Sequence, residues 1–102
     1  MKLEHYQLEK LKKELISIVG KYLDLTRYRI FFFGSRASGS SNERSDIDIG
    51  IKGPKNIPLT ILRKIEEELD ELPMLYKIEV VDFNSVAPEF QKVALQHSEV
   101  IK

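Results

Sequence analysis

The spacing of apolar positions along the chain predicts three amphipathic helices. From Leu3 to Leu23 apolar residues recur at three- and four-residue steps, which places them on one helical stripe. A second helical pattern has Pro58 in its first turn and is ended by Pro73, because proline fits a first turn but interrupts a continuing helix. A third pattern, "PEFQKVALQH", opens at Pro88. The apolar stripes are Leu8, Leu11, Leu15, Ile18 and Tyr22; Ile61, Leu62, Ile65, Leu69 and Leu72; and Phe90, Val93 and Ala94.

Three other stretches have the composition and alternation of β-strands. "YRIFFF" (residues 28–33) is aromatic and apolar on both faces, which indicates a central strand covered on both sides. "DIDIGI" (46–51) alternates strictly, so its isoleucines face a core while Asp46, Asp48 and Gly50 face the other way. "YKIEVVDF" (76–83) is the third predicted strand, and the final "EVIK" is too short to assign beyond an extended tail.

The order helix, strand, loop, strand, helix, strand, helix predicts an α+β fold, a small mixed sheet with helices packed on it. The chain has 102 residues with no repeat or linker, so a single domain over residues 1–102 is expected. The order and direction of the strands do not follow from the pattern.

Composition narrows the class of protein. Hydrophobic residues make up 42% and charged residues 31%, as in soluble globular proteins. Sixteen basic and sixteen acidic residues give zero net charge, which disfavours extended nucleic-acid binding but leaves room for a local anion site. The absence of cysteine excludes disulfides and thiolate–metal sites. No signal-peptide pattern or run of membrane-spanning length occurs, so no membrane association and a cytoplasmic location are expected.

Two aspartates in an otherwise apolar strand suggest a metal site. Asp46 and Asp48 project from the same face, with their Cα atoms roughly 6.5 Å apart. Carboxylates this close repel each other, and a cation between them relieves the repulsion. Carboxylate oxygens suit Mg²⁺, and a pair of such ions can clamp the attacking and leaving oxygens of a phosphoryl transfer.

The turn after the first strand supplies a complementary phosphate site. Gly34 allows a phosphate to approach the backbone, and amide N–H groups at a turn or helix start bind anions. A short helical turn beginning near Ser35 is expected here. The Ser35 hydroxyl adds a hydrogen bond, and Arg36 can hold a phosphate bidentately. The two sites together predict binding of a metal–nucleoside triphosphate.

The alternation of side chains along the third predicted strand indicates which of its acidic residues can be a third metal ligand. Glu79 and Asp82 lie three residues apart, so a regular strand sends them to opposite faces. If Ile78 packs with the isoleucine face of the second strand, Glu79 lies on the side of the two aspartates.

The remaining basic residues are weaker candidates. Arg44 can touch a phosphate, although a lone loop arginine is commonly just solvated. Lys52 and Lys55 follow the aspartate strand and can approach a nucleotide or remain solvated. A competing interpretation makes the whole stretch a Ser/Gly-rich hairpin loop before an edge strand with solvated aspartates.

Gly34-Ser35, ten residues, then Asp46-Ile47-Asp48 resembles the GSx₁₀DxD signature of the DNA polymerase β-like nucleotidyltransferase superfamily. The string "FGSRASG…SDIDIGI" and the chain from about Ile30 onward resemble its minimal nucleotidyltransferase (MNT) group. The resemblance implies a nucleotidyltransferase-like fold in which the two aspartates and a third acidic residue bind two Mg²⁺ ions. It also implies that the Gly-Ser turn holds the β- and γ-phosphates. The third acidic position usually holds aspartate, and Glu79 occupies it here.

The resemblance further implies a reaction and a partner. In this reaction ATP is the substrate. A hydroxyl group attacks the α-phosphate of the nucleoside triphosphate, and pyrophosphate leaves. Glu79 either completes a metal shell or acts as a base toward the hydroxyl. MNT proteins commonly pair with a helical HEPN-type ribonuclease toxin and act as its antitoxin, transferring AMP to a tyrosine of the toxin.

Other functions remain open at this point. The chain can instead be a non-catalytic antitoxin that binds nucleotide or partner and neutralises a HEPN protein by complex formation. Glu79 in place of aspartate favours that alternative. A third option is a small-molecule nucleotidyltransferase whose partner builds the acceptor pocket. The nucleobase, the acceptor and any homo-oligomer are not determined by the sequence.

Overall fold

The computed structural model of the chain describes residues 8–34, 47–73, 77–96 and 98–102. Those residues form three helices and a four-stranded sheet, which confirms the α+β class. The helices are α1 (Leu8–Gly20), α2 (Leu59–Asp70) and α3 (Pro88–Leu95), and the strands are β1 (Arg29–Phe33), β2 (Ile47–Lys52), β3 (Ile78–Asp82) and β4 (Glu99–Val100). Within these ranges no helix has the length and apolar character needed to cross a membrane.

The sheet is mixed, with the strand order β3-β2-β1-β4. β1 runs antiparallel to both β2 and β4, whereas β2 and β3 run parallel and are connected through α2. Since β2 has neighbours on both sides, the interpretation of its sequence as an edge strand is wrong. The tail "EVIK" contributes the short strand β4, which pairs with Phe31 and Phe32.

One face of the sheet carries the main core. The isoleucines of β2 are buried there together with apolar residues of α1 and α2, as their alternation predicts. Burial of such a stripe is the main free-energy source that holds a helix on a sheet. The buried residues of this cluster are Leu11, Leu15, Ile18, Val19, Ile30, Phe32, Ile47, Ile49, Ile51, Ile57, Ile65, Leu69 and Ile78.

The opposite face carries a smaller aromatic cluster. Phe31, Phe33 and Phe83 are buried there, so β1 is covered on both sides as its sequence predicts. The Phe83 ring meets the other two nearly edge-on, with centroid distances of 4.8 Å in each case. This arrangement brings the positive edge of one ring toward the negative face of another. Gly50 lies beneath these rings, and an added Cβ would come within 2.4 Å of Phe31.

Helix ends differ slightly from the predicted bounds. Pro58 is the N-cap of α2 rather than part of its first turn, and α2 ends at Asp70, ahead of Pro73. α1 ends at Gly20, three residues before the predicted Leu23, and residues 1–7 lie outside the described part of the chain.

A polar contact ties the end of α1 to α2. The Tyr22 hydroxyl and the Lys21 ammonium group both donate hydrogen bonds to the Glu68 carboxylate. The hydrogen bond from Lys21, followed by that from Tyr22, holds the pKa of Glu68 below its usual 4.5 despite partial desolvation. The ionised carboxylate is therefore the form that the folded state prefers.

We expect Gly50→Ala to destabilise the fold by about 1–3 kcal/mol, because the new methyl group overlaps the Phe31 ring in a packed cluster. Urea denaturation measures the change. Gly20→Ala is the matched control, since its Cβ would meet Leu25 at an ordinary 3.5 Å. Equal midpoints for wild type and Gly50→Ala would contradict the described packing.

Glu68→Gln tests the contact between α1 and α2 through its pH dependence. A folded-state pKa below the unfolded value contributes stability above the unfolded pKa, and this contribution is lost as pH falls through the folded pKa. The variant should therefore unfold at lower urea than wild type near neutral pH, and the difference should vanish in acid. Glu67→Gln, an exposed change of the same charge on α2, is the matched control, and an equal change in both variants would contradict the contact.

Candidate active site

The register of three strands places two carboxylates side by side. Asp48 is the register partner of Phe33 on β1 and of Glu79 on β3. Directly opposed residues of neighbouring strands share a face, and such strands lie about 4.8 Å apart. Asp48 and Glu79 therefore lie next to each other on the sheet face opposite the isoleucine core, which is the side that parity predicts for Glu79.

Asp82 has a structural role on the other side. It is buried, and it accepts hydrogen bonds from the backbone N–H groups of Ile57 (2.8 Å) and Asn84 (3.0 Å) and from the Ser85 hydroxyl (3.1 Å). These bonds anchor the segment before α2 and the turn after β3. The carboxylate oxygens of Asp82 are thus engaged within the fold, away from the face of Asp48.

A cavity of about 490 Å³ opens beside the two carboxylates. Its walls are mostly apolar, with the two acidic side chains as the charged groups, and its size lies within the range typical of small-molecule sites. The lining residues are Phe33, Gly34, Asp48, Glu79, Val81, Phe90, Val93 and Ala94. The cavity suits a ligand that has an apolar part and an anionic group. A cation bound by the two carboxylates can contact that anionic group.

Gly34 packs directly against Asp48. Its φ of +81° lies in the left-handed region that favours glycine. A Cβ built on Gly34 would lie 2.3 Å from Oδ2 of Asp48, so only a residue without a side chain allows this approach. The backbone of the turn and the carboxylate of β2 thus adjoin each other at the cavity wall.

The structure therefore brings together Gly34, Asp48 and Glu79 from the predicted set. Asp46, Ser35, Arg36 and Arg44, and with them the helical turn predicted near Ser35, lie outside the described residues. Their participation stays a prediction. Lys52 is the register partner of Arg29. It lies four residues along β2 from Asp48, so the Cα atoms of Lys52 and Asp48 are about 13 Å apart.

The wall formed by α3 is what the sequence reasoning missed. Phe90 and Val93 line the cavity while remaining 48% and 63% exposed, and no residue of α3 is fully buried. Sequence periodicity shows only that these residues share a helix face. It cannot distinguish a face packed in a core from one that borders a cavity, because both are apolar.

Lys77 compensates little of the negative charge of Glu79. The Lys77 ammonium group lies 3.8 Å from Oε1 of Glu79, and both side chains are about half exposed or more. Such an exposed pair contributes little. Two neighbouring carboxylates offer oxygen ligands of the kind that Mg²⁺ prefers. Within the described ranges no three acidic, histidine or cysteine side chains gather into a full ligand set.

Comparison with known proteins connects this geometry to a family. The family described as "Polymerase beta, Nucleotidyltransferase" matches residues 13–102. A relative from Haemophilus influenzae, "Probable protein adenylyltransferase MntA", is 22% identical over 85 residues, which are 81% of this chain and 75% of the relative.

Solved structures share the fold. A toxin–antitoxin complex crystallised with AMP-PNP has a TM-score of 0.67 at 18% identity, covering 89% of this chain and 72% of that one. A complex of a tri-AMPylated Shewanella oneidensis HEPN toxin with its MNT antitoxin also has a TM-score of 0.67, at 15% identity, covering 94% and 72%. At these identities the likeness establishes the nucleotidyltransferase-like architecture.

Gly34→Ala should destabilise the protein by about 1–3 kcal/mol, because it combines left-handed backbone strain with an overlap on Asp48. Urea denaturation of a double-mutant cycle with Asp48→Ala separates the two causes. Shortening Asp48 should recover the part of the cost that comes from the overlap and leave the backbone part. Strict additivity of the two substitutions would contradict the contact between them.

Proposed function

The chain belongs to the polymerase beta nucleotidyltransferase family, and on that basis we propose that it transfers AMP from MgATP to a hydroxyl acceptor. The observation that carries the proposal is the adjacency of Asp48, Glu79 and Gly34 at one cavity. Carboxylates that can hold a cation thus adjoin a glycine turn suited to phosphate, and metal and phosphate binding must coincide for this reaction.

The proposed roles follow from the chemistry of each side chain. Asp48 and Glu79, with Asp46, would hold two Mg²⁺ ions, which when bound supply positive charge against the triphosphate. The backbone at Gly34 and the side chains of Ser35, Arg36 and Arg44 bind the phosphates. Because Gly34 packs directly against Asp48, bound phosphates would lie near the carboxylate, and the positive charge of the metal ions would offset the repulsion between them.

In the transfer itself, the acceptor oxygen forms a bond to the α-phosphorus while the bond to the bridging oxygen of pyrophosphate breaks. The proton of the acceptor hydroxyl must leave as this occurs. Glu79 is the proposed recipient, as the alternative to completing a metal shell, since its carboxylate lies at the cavity and its side chain is 48% exposed. Pyrophosphate carries away the electron pair of the broken bond.

We further propose that the acceptor is a tyrosine of a HEPN-type toxin, so that the chain acts as an antitoxin. The support is the relative named as a protein adenylyltransferase and the similarity to the MNT antitoxin complex with an AMPylated HEPN toxin. The exposed apolar wall of Phe90 and Val93 offers a surface on which the tyrosine ring of the acceptor or the adenine ring of ATP can pack.

A second candidate function is neutralisation by complex formation without transfer. The observation that favours it is Glu79 at a position where the family usually has aspartate, because an added methylene shifts the carboxylate relative to a bound metal. The two functions predict opposite results for variants of Asp48.

The experiment uses ATP labelled at the α-phosphate, Mg²⁺, and extract from the source cell. Wild type should label a protein band, and Asp48→Asn should lower labelling at least about a hundredfold, since loss of a metal ligand removes several kcal/mol of charge stabilisation. Asp70→Asn, an exposed aspartate on α2, is the matched control and should retain activity. Glu79→Asp should retain transfer, because it keeps the carboxylate.

A cell-protection assay separates the two functions. If Asp48→Asn loses labelling and also loses protection against the partner, transfer is the function. If the variant still protects while wild type labels nothing, complex formation is the function and the transfer proposal fails.

A further inference from the structure

Positive charges gather at the other end of the sheet face that carries the candidate active site. Arg29 and Lys52 are register partners on the antiparallel strands β1 and β2. Alternation puts Arg29 on the same face as Phe31 and Phe33, and Lys52 on the same face as Asp48. Directly opposed like charges on neighbouring strands destabilise a sheet. The chain has zero net charge, so this pairing does not reflect a general excess of cations.

Within the described part of the chain, no carboxylate compensates these cations through an ion pair with Arg27, Arg29 or Lys52. The Lys52 ammonium group donates a hydrogen bond of 2.8 Å to the neutral Oε1 of Gln91. Asp24, three residues before Arg27, accepts hydrogen bonds from the backbone N–H (2.9 Å) and hydroxyl (2.6 Å) of Thr26. The Asp24 carboxylate is thus hydrogen-bonded within its own turn, and the charge of Arg27 acts on it from a distance without forming an ion pair.

The three cations line one concavity rather than a flat surface. A cavity of about 320 Å³ is lined by Arg27, Arg29, Phe31, Lys52 and Leu95. The Leu95 side chain is 42% exposed and the Phe31 ring is buried, so the cavity combines three cationic groups with an apolar wall. This combination suits an anion that carries a small organic group.

We propose that this cavity, defined by Arg27, Arg29 and Lys52, binds the phosphate group of a small molecule, either inorganic phosphate or a phosphate ester. Each guanidinium group presents a planar fork that matches two phosphate oxygens. The lysine has three donors, so it can contact the phosphate while keeping Gln91. A doubly charged phosphate between Arg29 and Lys52 attracts both cations and so offsets the repulsion between them.

The proposed site is separate from the candidate active site. Arg29 and Phe33 stand at opposite ends of β1, about 13 Å apart along the strand. The acidic pair adjoins Phe33, whereas the basic cavity adjoins Arg29. The inference does not depend on the proposed transfer reaction, and its test requires neither ATP nor Mg²⁺.

The test is calorimetric titration of the full chain with inorganic phosphate, without Mg²⁺ and in a buffer free of other multivalent anions. We expect saturable binding that weakens at least about tenfold when Arg29→Gln and Lys52→Gln are combined, since each removes a charge-assisted hydrogen bond. Arg63→Gln with Lys64→Gln, two exposed cations on α2, removes the same charge and should change affinity less than about twofold. Lys52→Arg should retain binding.

Stability without phosphate provides an independent readout. The Arg29→Gln, Lys52→Gln variant should have an unchanged or higher urea midpoint, because the repulsion between the two strands is removed. Phosphate should raise the midpoint of wild type but not of that variant. An equal rise in both, or equal loss of affinity in the α2 control, would overturn the proposed site.

Two further titrations identify the source of the phosphate. Phenyl phosphate that binds more tightly than inorganic phosphate would support a phosphate ester packed on Leu95, and equal affinities would support inorganic phosphate. A single-stranded RNA oligonucleotide is the competing ligand. If the oligonucleotide binds through these residues while both small phosphates fail to bind, the small-molecule proposal is wrong and a nucleic-acid contact takes its place.

Discussion

The register of β2 between β1 and β3 is the constraint on which the rest of the structure depends. Ile47, Ile49 and Ile51 are almost completely buried, and a slip by one residue would move them out of the core and put Asp48 into it. Burial of the isoleucines therefore fixes the pairing of Asp48 with Glu79 indirectly. The free energy gained by burying the isoleucines on one face of the sheet thus positions the candidate site on the other face.

The second face can carry function because the first supplies most of the core. Among the described residues, a small aromatic cluster is what is buried on the second face, and α3 packs there with none of its own residues fully buried. Gly50 lets the Phe31 and Phe83 rings lie low on the strand. The cavity beside Asp48 and Glu79 and the cavity beside Arg29 and Lys52 both lie along this face, and each combines apolar walls with charged groups from the strands.

Charge is separated along that face, although the chain as a whole is neutral. Asp48 and Glu79 occupy the end near Gly34, and Arg29 and Lys52 occupy the other end. Neither pair has an opposite charge directly across from it in the neighbouring strand. This separation of charge is the feature on which the two proposed ligand sites are based.

The sequence by itself determined the elements and their faces, because periods of 3.6 and 2 are local properties of the chain. It placed Asp48 and Glu79 on one side and Asp82 on the other, but at Gly34 it predicted the approach of a phosphate and not the contact with Asp48 that the structure shows. It did not give the strand order, the pairing of the tail as β4, the wall formed by Phe90 and Val93, or the opposition of Arg29 and Lys52. Only the tertiary structure decided these, since they depend on contacts between residues far apart in sequence.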